Sequence, residues 1–221
     1  MYPVLSTMQD DNRRFASAYL KVIGAIALIT FPLMTGLFAL AEPFVLTFFG
    51  EKWRPVILLI MIFAPVGMIQ SIGATVGGIY QVKGRTDWMF RWGIGSGTFV
   101  VIAFLIGLRW GIIGVAVAYA IATFILSYPS FSIPFRLVGL KFVQLLKILR
   151  LSFINSSLMF IVLVLFILIL PSLLSDIIVL LLSVTLGVAV YTVSTWLTNR
   201  EQLIELWDLA GLNRTKLHDA G

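Results

Sequence analysis

Long apolar runs alternate with short polar connections along this chain, and the pattern predicts a bundle of membrane-spanning helices. A spanning helix needs about 20 consecutive apolar residues. Six stretches of 17 to 28 residues contain no charged side chain: 22–41, 55–82, 92–108, 110–135, 151–175 and 177–199. The predicted fold class is therefore an all-α integral membrane protein with about six transmembrane helices.

Two boundaries between these stretches depend on a single charged residue. Residues 92–135 contain only Arg109, and as one straight helix they would be about 66 Å long, roughly twice the thickness of the hydrocarbon layer. Gly107 and Gly111 permit a tight reversal on either side of Arg109. Residues 151–199 contain only Asp176, and Pro171 before it predicts a second break.

Basic residues predict the orientation of the bundle. Thirteen of the 16 Lys and Arg residues fall in alternate connections on one side, whereas Lys52, Arg54 and Arg109 fall on the other. The positive-inside rule places the thirteen, and with them both termini, in the cytoplasm. Tryptophans near the ends of the spans predict an interfacial aromatic belt.

The charge pattern also predicts how the chain is organised. Residues 1–21 form a cytoplasmic amphipathic segment, 22–135 four transmembrane helices, 136–150 a cytoplasmic basic linker, 151–199 two additional transmembrane helices, and 200–221 a cytoplasmic tail. Within the three cytoplasmic parts, residues 8–20, 139–149 and 201–212 have the spacing of helices that lie in the headgroup layer.

The amino-acid composition limits which kinds of function the chain can have. Hydrophobic residues make up 60% of the chain and charged residues 12%, against about a quarter charged in soluble domains. The net charge of +6 does not indicate a nucleic-acid partner, because the basic residues sit at the ends of apolar runs. Cysteine is absent and the single histidine is His218. We therefore predict no metal site, no cofactor and no enzymatic activity.

Proline and glycine occur in pairs inside the first two spans. Pro32 and Gly36 are predicted to interrupt and kink the first, and Pro65 and Gly67 the second. Transporters place hinges and binding sites at discontinuous helices. The alternative is that both residue types are common in membrane helices and have no special role here.

Five polar residues are candidates for contact with a substrate. Gln70, Ser71 and Tyr80 share the second span, where they line a polar cavity or are satisfied by neighbouring helices. Lys83 and Arg85, in the following connection, either hold a phosphate or lipid headgroup or serve only as a topology signal. Glycines in the second and third spans predict close helix packing; they are Gly73, Gly77, Gly78, Gly93, Gly95 and Gly97.

Several short motifs in residues 2–120 are familiar in their order and spacing. They are YPVLSTMQDD at 2–11, FPLMTGL at 31–37, AEPFVLTFFGEKW at 41–53, KGRTD at 83–87 and GIIGVA at 111–116. With these motifs the sequence resembles the bacterial Wzx-type oligosaccharide flippases of the multidrug/oligosaccharidyl-lipid/polysaccharide (MOP) superfamily. Residues 150–221 match only as a pair of additional hydrophobic helices.

The resemblance implies a fold and a function. Such flippases have twelve to fourteen helices in two lobes, and this chain is similar to the last four helices of the second lobe plus two more. The implied activity is translocation of an isoprenoid-pyrophosphate-linked oligosaccharide across the bacterial cytoplasmic (inner) membrane. The implied partners are the bilayer, that lipid-linked oligosaccharide, and the N-terminal part of the transporter or a polysaccharide polymerase. The short chain alone is expected not to transport.

Two other readings stay open at this point. The chain is a non-transporting subunit or inactive remnant associated with a polysaccharide export complex, or it is a multidrug exporter of the same superfamily. The lack of a carboxylate deep in the spans disfavours a cation-coupled drug pump.

Overall fold

A computed structural model describes residues 12–169 and 175–200, and within this part the protein consists of helices joined by short turns. Two 3₁₀ turns, Glu51–Trp53 and Leu108–Trp110, lie between α-helices. The α-helices are α1 (Asn12–Ala39), α2 (Ala41–Phe48), α3 (Arg54–Gly73), α4 (Val76–Val82), α5 (Thr86–Gly107), α6 (Gly111–Val138), α7 (Phe142–Ile169) and α8 (Asp176–Thr198).

The predicted spans are present as helices. Five stretches are long and apolar enough to cross a membrane, and the longest of them, Thr86–Val138, has 53 residues. This stretch contains α5 and α6, which are joined by the turn at Leu108–Trp110 and pack against each other. The fold class is therefore confirmed. The second predicted break, at Pro171, lies outside the described residues.

Glycine makes the reversal between α5 and α6 possible. Gly111 has a φ of 69°, in the region that favours glycine. A Cβ added at Gly107 would lie 2.6 Å from the carbonyl oxygen of Gly114. The two helix backbones thus approach as closely as two glycines allow, which confirms the hairpin predicted at this position.

Each spanning helix packs mainly on its neighbours in one series: α5 on α6, α6 on α3, α3 on α1, α1 on α7, and α7 on α8. The short helix α2 contacts both α3 and α8. Polar side chains join the last pair, since the Asn155 amide donates to Thr195 Oγ1 at 3.3 Å and to Thr198 Oγ1 at 2.9 Å. The two helices predicted as additions therefore pack on the rest of the bundle through α1 and α2.

A buried hydrophobic core extends from the end of the bundle where α1 begins, which we call the basic end, along α1 to Phe31. The basic residues of this end are Arg13, Arg14, Lys21, Lys83, Arg85, Arg136, Lys141, Lys147 and Arg150. Phe15, Tyr19 and Leu145 are all buried in this core, although they lie outside the six uncharged stretches. Away from hydrocarbon, the hydrophobic effect buries such side chains.

Residues 8–20 and 139–149 were predicted to lie as helices in the headgroup layer. The structure shows residues 12–20 and 142–149 as the first turns of α1 and α7, and their apolar side chains pack together in the core. The third such segment, 201–212, lies outside the described residues. The cytoplasmic location of these regions stays a prediction.

The prolines do not end the helices that contain them. α1 runs through Pro32 and Gly36 to Ala39. α3 likewise runs through Pro65 and Gly67, and the second span is instead interrupted at residues 74 and 75, between α3 and α4. That these four residues act as hinges stays a prediction, and so does the kink at Pro32 and Gly36.

Candidate functional site

The five predicted substrate-binding residues lie in different parts of the molecule. Gln70 borders an open groove, Ser71 contacts another helix, and Tyr80 is buried in the core. Lys83 and Arg85 lie in the turn between α4 and α5. Gln70 lies in α3, whereas Lys83 follows the end of α4, 13 residues later.

Gln70 marks a groove of about 530 Å³ between α3, α5 and α6. Its amide nitrogen donates a hydrogen bond to the Tyr119 hydroxyl across the groove. We call this feature the polar groove and define its polar residues as Gln70, Ser96, Tyr119, Thr123, Ser127 and Ser130. Each carries an amide, a phenol or a hydroxyl, so the groove presents six polar side chains in an otherwise apolar lining that has no charged side chain.

Two of these hydroxyls donate to their own helix. Ser96 Oγ donates to the carbonyl oxygen of Trp92 at 2.8 Å, and Ser127 Oγ donates to that of Phe124 at 2.7 Å. Each oxygen therefore keeps lone pairs that can accept a hydrogen bond from a ligand. Gly93 and Gly97 have nothing within 4 Å of where a Cβ would stand, so the α5 wall lets a ligand approach the backbone.

Ser71 points away from the polar groove. Its Oγ lies 3.0 Å from Thr30 Oγ1 of α1 and donates to the carbonyl oxygen of Met68 at 2.9 Å. Ser71 thus joins α3 to α1. This agrees with the alternative prediction, in which a neighbouring helix supplies its hydrogen-bond partner.

Tyr80 belongs to the core of the basic end. The side chain is 1% exposed and packs in the cluster that contains Phe15 and Phe135. Its hydroxyl has no hydrogen-bond partner among the described residues. This burial leaves a substrate no access to Tyr80 in the structure.

Lys83 and Arg85 flank Gly84, whose φ of 62° makes the tight turn at the basic end. Arg85 is engaged locally: its guanidinium lies 4.4 Å from the centre of the Trp88 ring, and Nε lies 3.3 Å from Asp87 Oδ1. Such an exposed pair is weak, so an anion can compete for Arg85. Binding of a headgroup at this turn stays a prediction.

Charged residues at the opposite end of the bundle hold α2 against α3. Arg54 Nη1 donates to Glu42 at 2.8 Å, while Nε and Nη2 donate to the two oxygens of Glu51 at 2.9 Å. The hydrogen bonds from Arg54 lower the pKa of Glu51, and both carboxylates raise the pKa of Arg54. These three hydrogen bonds join Arg54 to α2 and to the turn before α3, so the arrangement holds these elements together.

Sequence reasoning found Gln70 but missed the rest of the polar groove. Tyr119, Thr123 and Ser127 follow one another at intervals of four on the apolar helix α6. That spacing places them on one helical face, so the sequence could have predicted that they lie together. Their proximity to Ser96 of α5 depends on the hairpin, and local spacing does not predict it.

The described residues contain no group of three or more His, Cys, Asp or Glu side chains that could hold a metal ion. The absence of a metal, a cofactor and an enzymatic reaction stays a prediction for the whole chain.

Six apolar spans and an uncharged polar groove define a multi-pass membrane protein of the all-α class. Comparison with known proteins narrows this class. A family described as "Polysaccharide biosynthesis protein" matches residues 1–58. No solved structure is significantly similar.

Three curated relatives are similar to longer parts of the chain. Lipopolysaccharide biosynthesis protein WzxC of Escherichia coli K12 is 27% identical over 158 residues, which are 71% of this chain and 32% of WzxC. Teichuronic acid biosynthesis protein TuaB of Bacillus subtilis 168 is 29% identical over 94 residues, 42% of this chain and 20% of TuaB. A membrane protein encoded in the cps region of Klebsiella pneumoniae is 25% identical over 122 residues, 55% of this chain and 25% of that protein.

These matches confirm the resemblance to Wzx-type polysaccharide flippases that the motifs indicated. The matched region spans a third or less of the length of each of these curated relatives.

Proposed function

We propose that this chain is part of a bacterial inner-membrane transporter that moves an isoprenoid-pyrophosphate-linked oligosaccharide during polysaccharide biosynthesis. The observation that carries the proposal is the polar groove, which places an amide and five hydroxyls beside one another within apolar helices. Similarity to proteins named for lipopolysaccharide and teichuronic acid biosynthesis supports it.

The groove has the chemistry to bind a neutral sugar. Sugar hydroxyls both donate and accept hydrogen bonds, and so do Gln70, Tyr119 and the serines around them. A protonatable drug or a metal ion would instead require carboxylates, and the lining contains none. An oligosaccharide is therefore the better ligand for this surface.

The two ends of a lipid-linked oligosaccharide would contact different residues. The sugar binds in the polar groove, while Lys83 and Arg85 attract the pyrophosphate at the basic end, which faces the cytoplasm. The groove and the turn lie on different elements, α3 and the α4–α5 connection, which suits an extended substrate that carries several sugars. Alternating access requires a second lobe, which a companion part of the transporter provides.

Complementation tests this function. In a strain that lacks its polysaccharide flippase, the region of WzxC similar to this chain is replaced by the chain itself, and surface polysaccharide is measured. We expect the chimera to restore polysaccharide and the 221-residue chain alone to fail. In the chimera, Gln70→Leu with Tyr119→Phe removes hydrogen bonds in the groove and should reduce transport by about tenfold or more.

The controls separate binding from folding. Ser71→Ala changes the residue next to Gln70, which points to α1, and should leave transport close to that of the unchanged chimera. Membrane abundance of each variant is measured by immunoblot. Full transport by the groove variant, at equal abundance, contradicts the proposal.

A further inference from the structure

We propose that a second groove, between α1, α3, α6 and α7, binds one acyl chain of an anionic phospholipid whose phosphate contacts Arg150. We call this feature the apolar groove. Its volume is about 550 Å³, and its lining includes Phe31, Ile69, Phe124, Leu146, Arg150 and Phe153. The inference does not depend on transport.

The two grooves lie on opposite sides of the contact between α3 and α6. Ile69, Ser127 and Phe131 line both, so these side chains form the wall that separates them. The lining of the apolar groove is otherwise nearly all hydrocarbon and aromatic, and Ser127 donates to its own helix. Water finds few hydrogen-bond partners in such a groove, whereas an acyl chain gains dispersion contacts with the lining side chains.

The apolar groove is open to the lipid around the protein. Leu146 is 52% exposed, Phe124 52% and Phe153 59%. These residues come from α6 and α7, so the opening runs between those two helices. A lipid chain can enter sideways from the bilayer without any movement of the helices.

Arg150 supplies the charge complementarity that selects the lipid. It is the last basic residue before the apolar part of α7, which continues without charge to Ile169. Its position is therefore the boundary between hydrocarbon and headgroups. It forms no hydrogen bond or ion pair with another described residue, so its guanidinium is available to bind a phosphate in a bidentate manner.

One guanidinium matches one phosphate diester, the head of a singly charged phospholipid such as phosphatidylglycerol. A pyrophosphate carries more charge, and Lys83 and Arg85, the pair proposed for it, do not line this groove. A zwitterionic headgroup brings its own cation to the phosphate and competes with Arg150. We therefore commit to an anionic phospholipid.

Native mass spectrometry of the purified chain, titrated with phosphatidylglycerol in detergent, tests the proposal. We expect one tightly bound phosphatidylglycerol, and at least fivefold weaker binding of phosphatidylcholine. Arg150→Gln should weaken phosphatidylglycerol binding about fivefold, the effect of about 1 kcal/mol for one basic residue near anionic lipid. Leu146→Trp fills the groove while keeping Arg150, and should weaken binding of both lipids.

Arg91→Gln is the matched control, because Arg91 is also an exposed arginine near the basic end but does not line the groove. It should bind phosphatidylglycerol like the wild type. Far-UV circular dichroism and gel filtration verify that each variant is folded. Equal weakening by Arg91→Gln, equal binding of the two lipids, or preference for an isoprenoid pyrophosphate would each overturn the proposal.

Discussion

At the scale of single residues, the two buried tyrosines of the basic-end core differ in one hydrogen bond. The Tyr19 hydroxyl lies 2.8 Å from Thr75 Oγ1, which itself donates to the Ile72 carbonyl oxygen at 2.7 Å. Tyr19 is therefore the donor of that pair. The Tyr80 hydroxyl is buried without a partner among the described residues, and such a group costs free energy.

Replacing each tyrosine by phenylalanine should reveal this difference. Tyr19→Phe removes a hydrogen bond and should lower the free energy of unfolding by about 1 kcal/mol. Tyr80→Phe removes only an unpaired hydroxyl and should leave that free energy unchanged or raise it. Unfolding in mixed detergent micelles with SDS measures both. A clear loss of stability in Tyr80→Phe would mean that its hydroxyl has a partner after all.

At the scale of the elements, two glycines of the same helix, α5, have different surroundings. Gly107 is where α5 meets α6, and a methyl group there would lie 2.6 Å from a backbone oxygen that cannot turn aside. Gly97, ten residues earlier on α5, faces open space. Close packing was predicted at Gly93, Gly95 and Gly97, but a Cβ added at each has no neighbour within 4 Å among the described residues. Gly107, for which only the reversal was predicted, is where two helix backbones meet.

Alanine at the two positions tests this distinction. Gly107→Ala forces α5 and α6 apart and should lower the free energy of unfolding by about 1–3 kcal/mol. Gly97→Ala, the matched control on the same helix, should have little effect on stability. Equal stability of the two variants would contradict the close approach at the hairpin.

At the scale of the whole molecule, the basic end combines most of the basic residues with a buried hydrophobic core. The positive-inside rule predicts that this end is cytoplasmic. The helix ends reach beyond their uncharged stretches there and bury one another's apolar faces.

Since the chain contains no cysteine, single cysteines report the orientation without background. Thr86→Cys and Lys147→Cys, at the basic end, should react with a membrane-impermeant maleimide only after the cells are permeabilised. Lys52→Cys, at the opposite end, should react in intact cells. Labelling at residue 147 from outside would refute the six-span arrangement.

The sequence alone determined the spans and the hairpin. Hydrocarbon requires each backbone group to be satisfied within a helix, so a charge-free run of sufficient length predicts a span. Arg109 between two glycines predicts the reversal, because residues 92–135 are too long to form a single span. The resemblance to Wzx-type flippases could also be predicted from the sequence, because it depends on the order and spacing of short motifs and not on the tertiary structure.

Only the tertiary structure decided what each polar residue does. Gln70 and Ser71 are adjacent in sequence, yet a turn of about 100° per residue directs Gln70 to the polar groove and Ser71 to α1. The apolar faces of residues 12–20 and 142–149 fit a lipid surface as well as a protein core. Their mutual proximity decided for the core, because contacts between residues far apart in the chain have no signature in local spacing.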